Sequence, residues 1–232
     1  MINLTATAEA AVILLAFRRF LTLDLKKKNL ILNLISAALL SFNIYRYISR
    51  SIEAGFTRIP VEFSSVAYFL VPLIVLLKIP LLRVWAAYSA LLAGSGYFVS
   101  IVLFGDRVYS NYKTVSIVTA LLCHGALLLI GLLLISEKRL SPYSGWIIAA
   151  GLIYITLRTM LLRARFSGGG GIFIYEVIYA LRPVKIFGAG ILPVYYHSLF
   201  CLLILSFNLF YRLNLKLAKN RGCKKSADRI KP

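Results

Sequence analysis

Residues 114–136, TVSIVTALLCHGALLLIGLLLIS, carry no charged side chain and decide the fold class. A transmembrane helix needs roughly 20 mostly apolar residues, and this stretch is long enough to be one. His124 lies in its middle. Polar side chains at membrane depth are costly, so they usually face the interior of a helical bundle and mark functional positions. The sequence therefore predicts a membrane helix with a candidate functional residue near its centre.

Other apolar stretches repeat this pattern over most of the 232 residues, of which 60% are hydrophobic. They predict an all-α polytopic membrane protein with six transmembrane helices joined by short connections. The predicted helices cover residues 29–47, 59–77, 82–105, 114–136, 143–163 and 190–212. Glu62 and Arg158 interrupt the second and the fifth of them.

The first 28 residues form a segment outside the predicted membrane domain of residues 29–212. Their apolar run, Ala10–Phe17, is too short to span a membrane. The positive charges follow this run, whereas in a signal peptide they precede it. We expect an N-terminal interfacial helix whose basic face lies on anionic headgroups. A re-entrant seventh segment is the alternative.

The formal net charge of +19 is concentrated beside the predicted membrane segments. Eight Lys and Arg residues lie between Arg212 and Lys231, and five lie between Arg18 and Lys28. This distribution argues against nucleic acid as a partner and predicts that both termini are cytoplasmic, because positive residues mark that side. Residues 213–232 are predicted to be a polybasic tail attracted to acidic lipid. The expected anionic-lipid contacts are Lys216, Lys219 and Arg221.

The cysteines and histidines do not predict a metal or a cofactor. Cys123, Cys201 and Cys223 match no zinc or redox spacing. Two histidines and Glu62 on different helices are too few ligands for a zinc site. The run SGGGG at 167–171 predicts a flexible loop, and no Gly-Lys-Ser/Thr follows it to hold a phosphate.

Topology places the polar outliers in one half of the membrane. The second, fourth and sixth predicted helices run in the same direction, so each begins at the same membrane face. Glu62, Ser64 and Ser65 lie a few residues into the second helix. His124 lies about ten residues into the fourth and His197 about seven into the sixth. At 1.5 Å per residue, these positions lie roughly 5 to 15 Å below one face.

These residue types suit acyl chemistry. A hydroxyl near an imidazole is the minimal nucleophile–base pair, so Ser64 or Ser65 could attack a carbonyl while His124 takes the proton. The ring of His124 could be oriented by a second polar group. The candidates for that role are His197 and Glu62. The alternative is structural, because membrane serines often only hydrogen-bond between helices and a buried histidine is often a packing residue.

Three further positions are candidates for binding the substrate. Tyr195 and Tyr196 open the last predicted helix and could donate hydrogen bonds to a developing oxyanion. Gly94 lies in the small-residue run Ala93–Gly96 of the third predicted helix. Such a run either allows helices to pack closely or lines a groove that fits a lipid chain.

Several short motifs resemble the YwaF-like family of six-helix integral membrane proteins. The segment Ile59–Ser64, which follows Tyr45–Tyr47, resembles the family's Leu-Pro-Leu-His-Leu-Cys segment. Cys123–Leu127 contains the His-Gly of its fourth span, and Pro193–Tyr196 approximates the Pro-Trp-Tyr that opens its last span. The family is related to eukaryotic transmembrane phospholipid acyltransferases and, more remotely, to the androgen-induced family of lipid hydrolases.

The resemblance implies an acyl-transferring or ester-cleaving membrane protein with Ser64 as nucleophile and His124 as base. Two departures matter. The family's histidine is Glu62 here, and its cysteine is Ser64. Serine is the weaker nucleophile unless a base is well placed, so the chain is either a serine variant or a member that only binds lipid.

Three functions follow from the sequence as alternatives. The first is a lipid-active enzyme of a bacterial cytoplasmic membrane, with membrane lipids as its partners. The second is a small-molecule transporter or the substrate-binding membrane subunit of one. The third is a non-catalytic lipid-binding membrane protein held by its basic segments.

Overall fold

The computed structural model of the chain describes residues 2–55, 60, 63–108, 113–137, 140–141, 143–165 and 201–218. Within these ranges the regular secondary structure is all helical, with no strand, which confirms the all-α prediction for the described part. The helices are α1 (Ile2–Phe20), α2 (Leu25–Ala54), α3 (Phe63–Leu76), α4 (Arg83–Val108), α5 (Thr114–Ile135), α6 (Ser144–Arg165) and α7 (Cys201–Ala218).

Four helical segments in the described part are long and apolar enough to cross a membrane. They are Leu25–Ala54, Arg83–Gly105, Thr114–Ile135 and Cys201–Ala218. Two further apolar segments, Phe63–Leu76 and Ser144–Ile155, are shorter. These two fall where Glu62 and Arg158 interrupt the predicted spans. The membrane character of the fold is therefore supported, while the count of six spans stays a prediction.

The first long helix has clear signals at both ends. The Asp24 carboxylate accepts a hydrogen bond from the backbone N–H of Lys27 at 2.8 Å and caps the N-terminus of α2. Gly55 ends it with φ of 69°, the left-handed conformation that glycine adopts without strain. Because both caps lie outside the uncharged run, α2 is longer than the predicted 29–47, and Lys26–Lys28 form its first turn.

The N-terminal helix packs on α4 and α5. Ala6, Ile13 and Phe17 are buried on one face of α1, while Arg18 and Arg19 are exposed. The predicted interfacial helix is thus present as a helix. Its buried face meets protein, where two glycines of α4 and α5 make room for it, whereas other apolar side chains of α1 are exposed: Leu4, Val12, Leu14 and Leu15. Contact of its basic end with headgroups stays a prediction.

The closest packing joins α4 to α5. A Cβ at Gly94 would lie 2.7 Å from the backbone nitrogen of Leu128, and one at Gly131 would lie 2.8 Å from that of Leu91. Glycines on both helices therefore let the backbones approach. Gly94 has a packing role here, whereas Gly96 faces open space. Substrate binding at Gly94 stays a prediction.

The last described helix continues past its predicted end at residue 212. Phe210 and Asn214 are buried, and Leu217 packs on the same core. The three residues are spaced by four and three positions, which places them on one face of α7. The helix therefore extends to Ala218 because that face remains buried beyond Arg212.

Candidate functional site

His124 lies near the middle of α5, and both of its ring nitrogens have hydrogen-bond partners. Nδ1 is 2.8 Å from the carbonyl oxygen of Ala120, one turn earlier in the helix. The hydroxyl of Tyr68 is 2.8 Å from Nδ1 and 3.1 Å from Nε2. A carbonyl only accepts, so Nδ1 carries the proton and donates to Ala120, which leaves Nε2 to accept from Tyr68. The ring is held in one tautomer.

Aromatic side chains from two other helices enclose the imidazole. The ring of Tyr97, from α4, stacks on it with a centroid distance of 3.7 Å and an interplanar angle of 5°. The ring of Tyr68, from α3, meets it edge-on at 5.3 Å and 76°. Tyr68, Tyr97 and His124 are all buried. Three helices therefore fix the position and the plane of the imidazole.

The second helix adds two polar groups beside this arrangement. The Asn43 amide is fully buried and donates from Nδ2 to the carbonyl of Leu39 at 2.9 Å. The same Nδ2 lies 3.8 Å from Sγ of Cys123. The guanidinium carbon of Arg46 lies 5.7 Å from the centroid of the Tyr68 ring. We call His124, Tyr68, Tyr97, Asn43 and Arg46 the His124 cluster.

A carboxyl group from the N-terminal helix reaches the residue next to His124. A Cβ at Gly125 would lie 2.7 Å from Oε1 of Glu9 and 3.0 Å from Cδ1 of Ile13. Glycine at this position therefore makes room for the Glu9 side chain against α5. The two residues of the His-Gly motif therefore meet different parts of the protein. His124 meets the aromatic rings of α3 and α4, and Gly125 meets α1.

The predicted nucleophiles lie on the same helix as Tyr68. Ser64 is partly buried and Ser65 is buried, both in the first turn of α3. Ser64 precedes Tyr68 by four residues, which places both on one face of that helix. Among the described residues neither serine is hydrogen-bonded to His124, whose nitrogens are taken by Tyr68 and Ala120. A direct Ser–His pair stays a prediction.

The remaining predicted site residues fall in different places. Lys216 is exposed on α7, and its contact with anionic lipid stays a prediction. The others lie outside the described residues: Glu62, Tyr195, Tyr196, His197, Lys219 and Arg221. Among the residues that are described, no group of three or more His, Cys, Asp or Glu side chains could hold a metal ion.

Most of the His124 cluster was missed by reasoning from the sequence. Tyr68 and Tyr97 look like ordinary aromatic residues of apolar helices, and nothing in their spacing links them to His124. Asn43 and Arg46 did carry a signal. They are polar, three residues apart and at the end of an apolar run, so they share a face of a predicted membrane helix.

Comparison of the chain with protein-family models, with curated proteins and with solved structures gave no match.

Proposed function

We propose that this chain is an integral membrane protein that acts on lipid acyl chains, by acyl transfer or ester hydrolysis. In this proposal it crosses a bacterial cytoplasmic membrane six times with both termini in the cytoplasm. The observation that carries the proposal is the hydrogen bond between the Tyr68 hydroxyl and His124. It joins a buried imidazole to the helix that bears Ser64, and buried ionisable groups in membrane helices are usually functional.

The bond between Tyr68 and His124 supports a relayed proton transfer. Ser64 Oγ attacks the carbonyl carbon of an ester and passes its proton to the phenol oxygen of Tyr68. The Tyr68 proton moves to Nε2 of His124, whose Nδ1–H donates to the Ala120 carbonyl and so stabilises the cation. The ester C–O bond then breaks, and the leaving alkoxide receives a proton from His124 through Tyr68. An acyl-Ser64 remains, and water or a second alcohol attacks it by the same path.

The resemblance of Ile59–Ser64 and Cys123–Leu127 to the YwaF-like proteins supports the same chemistry. In that proposal Ser64 takes the place of the family's cysteine. A serine is activated only when a base can take its proton. The Tyr68–His124 pair offers such a base from within the protein.

An assay of lipid turnover tests the proposal. The purified protein is placed in nanodiscs with a phospholipid that carries a radiolabelled acyl chain, and release or transfer of the label is followed. We expect Ser64→Ala and His124→Gln to abolish turnover. Tyr68→Phe keeps the ring and loses only the hydroxyl, so it should slow turnover by roughly 10²-fold.

The matched control is Ser95→Ala. The Ser95 hydroxyl donates to the Leu91 carbonyl within α4 and is exposed, so its loss should leave turnover unchanged. Equal rates for the wild type, Ser64→Ala and His124→Gln would refute the catalytic proposal.

A second candidate is a protein that binds or transports lipid without cleaving it. This alternative is favoured by the complete hydrogen bonding of the His124 ring inside the protein. A satisfied imidazole can serve to position Tyr68 and Tyr97 as the wall of a binding site. It predicts lipid that copurifies with the protein, no turnover, and binding that survives Ser64→Ala.

A further inference from the structure

Arg46 is the one member of the His124 cluster with a full positive charge at neutral pH. Its guanidinium carbon lies 5.7 Å from the ring centroid of Tyr68 and 5.7 Å from that of Tyr47. Cations are attracted to the faces of aromatic rings at such distances, but this contribution is small beside the cost of removing a charge from water. Two tyrosine rings therefore do not neutralise the guanidinium.

No acidic partner compensates the charge within the described residues. The Nε atom of Arg46 is buried without a hydrogen-bond partner. Glu9, which lies against Gly125, forms no ion pair with it. Two other arginines do have polar partners. Nη2 of Arg83 pairs with Glu137 at 2.7 Å, although its Nε is also buried without a hydrogen bond, and Arg158 donates to the Pro60 carbonyl at 2.7 Å.

An unsatisfied acceptor lies on the same helix as this unpaired cation. Oδ1 of Asn43 is buried without a hydrogen bond, although Nδ2 of the same amide is bonded to Leu39. Arg46 and Asn43 are three residues apart and so share one side of α2. Buried polar atoms without a partner are rare in native structures, so we expect a group from outside the described residues to meet these two atoms.

The chemistry of the missing partner follows from the guanidinium. Its planar N–H groups match carboxylate and phosphate oxygens and bind them through short, charge-assisted hydrogen bonds. One guanidinium is neutralised by one negative charge. A singly charged oxyanion is therefore the complementary group, and either a fatty carboxylate or a phosphodiester headgroup carries one.

The route to Arg46 lies along the apolar surface of α2. Arg46 is only partly buried. Phe42, one turn earlier, and Tyr45, its neighbour, are 44% and 69% exposed. A membrane amphiphile can lay its apolar chain on these side chains while its head reaches the guanidinium.

We propose that Arg46 binds the singly charged oxyanion of a membrane amphiphile, beside Tyr68 and within the His124 cluster. The site places a carboxylate or phosphate next to the imidazole without using Ser64. It therefore goes beyond the proposed chemistry and does not depend on it. If Ser64 is reactive, Arg46 holds the head of the lipid that is cleaved or released.

Native mass spectrometry of the full-length protein in an uncharged detergent tests this site. The protein is titrated with oleate, and the fraction that carries one bound oleate gives the Kd. Oleyl alcohol has the same chain without the charge and should bind more weakly. In Arg46→Gln we expect the Kd for oleate to rise roughly ten- to hundredfold, the loss of a charge-assisted contact.

The control variant is Arg50→Gln, which removes an exposed arginine one turn further along α2. Its oleate affinity should equal that of the wild type. Arg46→Lys keeps the charge and loses the planar fork, so it should retain binding of intermediate strength. If Arg46→Gln does not fold, Arg46→Lys still tests the site. Ser64→Ala should bind oleate normally, which separates this proposal from the catalytic one.

A competition experiment distinguishes the two sources of the oxyanion. Dioleoylphosphatidylglycerol displaces oleate if the site takes a phosphodiester headgroup, and fails to displace it if the site takes only a carboxylate. Either result supports an oxyanion site at Arg46. The proposal is overturned if folded Arg46→Gln binds oleate as the wild type does, or if the wild type binds oleyl alcohol as tightly as oleate. If Arg46→Gln does not fold, an unchanged Kd in Arg46→Lys overturns it.

Discussion

Two polar clusters are attached to α5, one at its middle around His124 and one at its end around Asn214. Each contains an asparagine with 0% of its surface exposed. Asn214 uses both ends of its amide: Nδ2 donates to the Ile135 carbonyl, and Oδ1 accepts from the backbone N–H of Leu140, both at 3.0 Å. Asn43 leaves its Oδ1 without a hydrogen-bond partner in the part of the chain that the structure describes.

The arginines near the two clusters also differ in whether they have a partner. Arg83 is paired with Glu137 just beyond the end of α5, whereas Arg46 at its middle has no acidic partner in the described chain. Polar groups at the end of α5 thus hold the chain together. At its middle the ring nitrogens of His124 are hydrogen-bonded, but Oδ1 of Asn43 and Nε of Arg46 have no partner among the described residues. We propose that the polar groups at the end of α5 are structural and that those at its middle serve function.

The largest expected effect comes from breaking the end of α5. Asn214→Leu leaves the buried Ile135 carbonyl and the partly buried Leu140 N–H without their Asn214 partner. Each such group costs about 1–3 kcal/mol, so we expect a loss of about 2–5 kcal/mol in unfolding free energy. Thermal unfolding in detergent measures it. Asn208→Leu is the control, because the Asn208 amide is exposed and bonds only to Ile204 in its own helix. Similar losses in both variants would contradict the structural role of Asn214.

A smaller loss is expected from the ion pair next to it. Glu137→Gln removes the charge opposite Arg83, whose side chain is 28% exposed while that of Glu137 is 23% exposed. Partial exposure weakens the pair, so we expect a loss of about 1 kcal/mol that shrinks at high salt. Unfolding measured at low and high ionic strength checks this, and a loss independent of salt would rule out the ion pair as its cause.

The corresponding change beside the middle of α5 should lower the unfolding free energy by less still. Asn43→Leu removes one hydrogen bond to Leu39, but it also removes the orphaned Oδ1. Because the two effects oppose each other, we expect a change in unfolding free energy within about 1 kcal/mol. Thermal unfolding side by side with Asn214→Leu makes the comparison direct. A loss as large as that of Asn214→Leu would mean that Asn43 is structural too.

The smallest effect concerns the N-cap of α2, far along the chain from both clusters. The hydrogen bond from the Lys27 backbone N–H lowers the pKa of Asp24 below its ordinary value of 3.8. A depressed folded-state pKa gives stability that is present above the unfolded pKa and is lost as the pH falls through the folded one. Asp24→Asn keeps a capping side chain without titrating. The stability of Asp24→Asn relative to wild type should therefore rise only below about pH 4. Thermal unfolding of both proteins across this pH range checks it, and a difference that does not change with pH would contradict it.

The sequence was sufficient for the helical class because uncharged runs such as residues 114–136 leave few alternatives. It did not predict the length of α2, whose ends are set by the capping residues Asp24 and Gly55 rather than by hydropathy. It also missed the burial of Asn214, which lies in a stretch read as a solvated tail. A helix can continue as long as one of its faces stays buried. Such a face is hard to recognise in a short sequence that mixes polar and apolar residues.

The sequence predicted the central residue of the candidate site, His124, but not the aromatic residues that enclose it. His124 is conspicuous because it is the only imidazole within the uncharged run of residues 114–136. Tyr68 and Tyr97 meet it only through tertiary packing, which depends on how the glycines of α4 and α5 bring the helices together. Helix adjacency of that kind is not encoded in the spacing of residues along one helix.

The central claim is that the polar groups around His124 serve chemistry rather than packing. Labelling of the folded protein in detergent with a fluorophosphonate probe, with the adduct located by mass spectrometry, tests it most directly. We expect an adduct on Ser64 that is lost in His124→Gln and forms far more slowly in Tyr68→Phe. A folded wild type that takes up no probe, or an adduct on Ser64 that forms equally fast in His124→Gln, would contradict it.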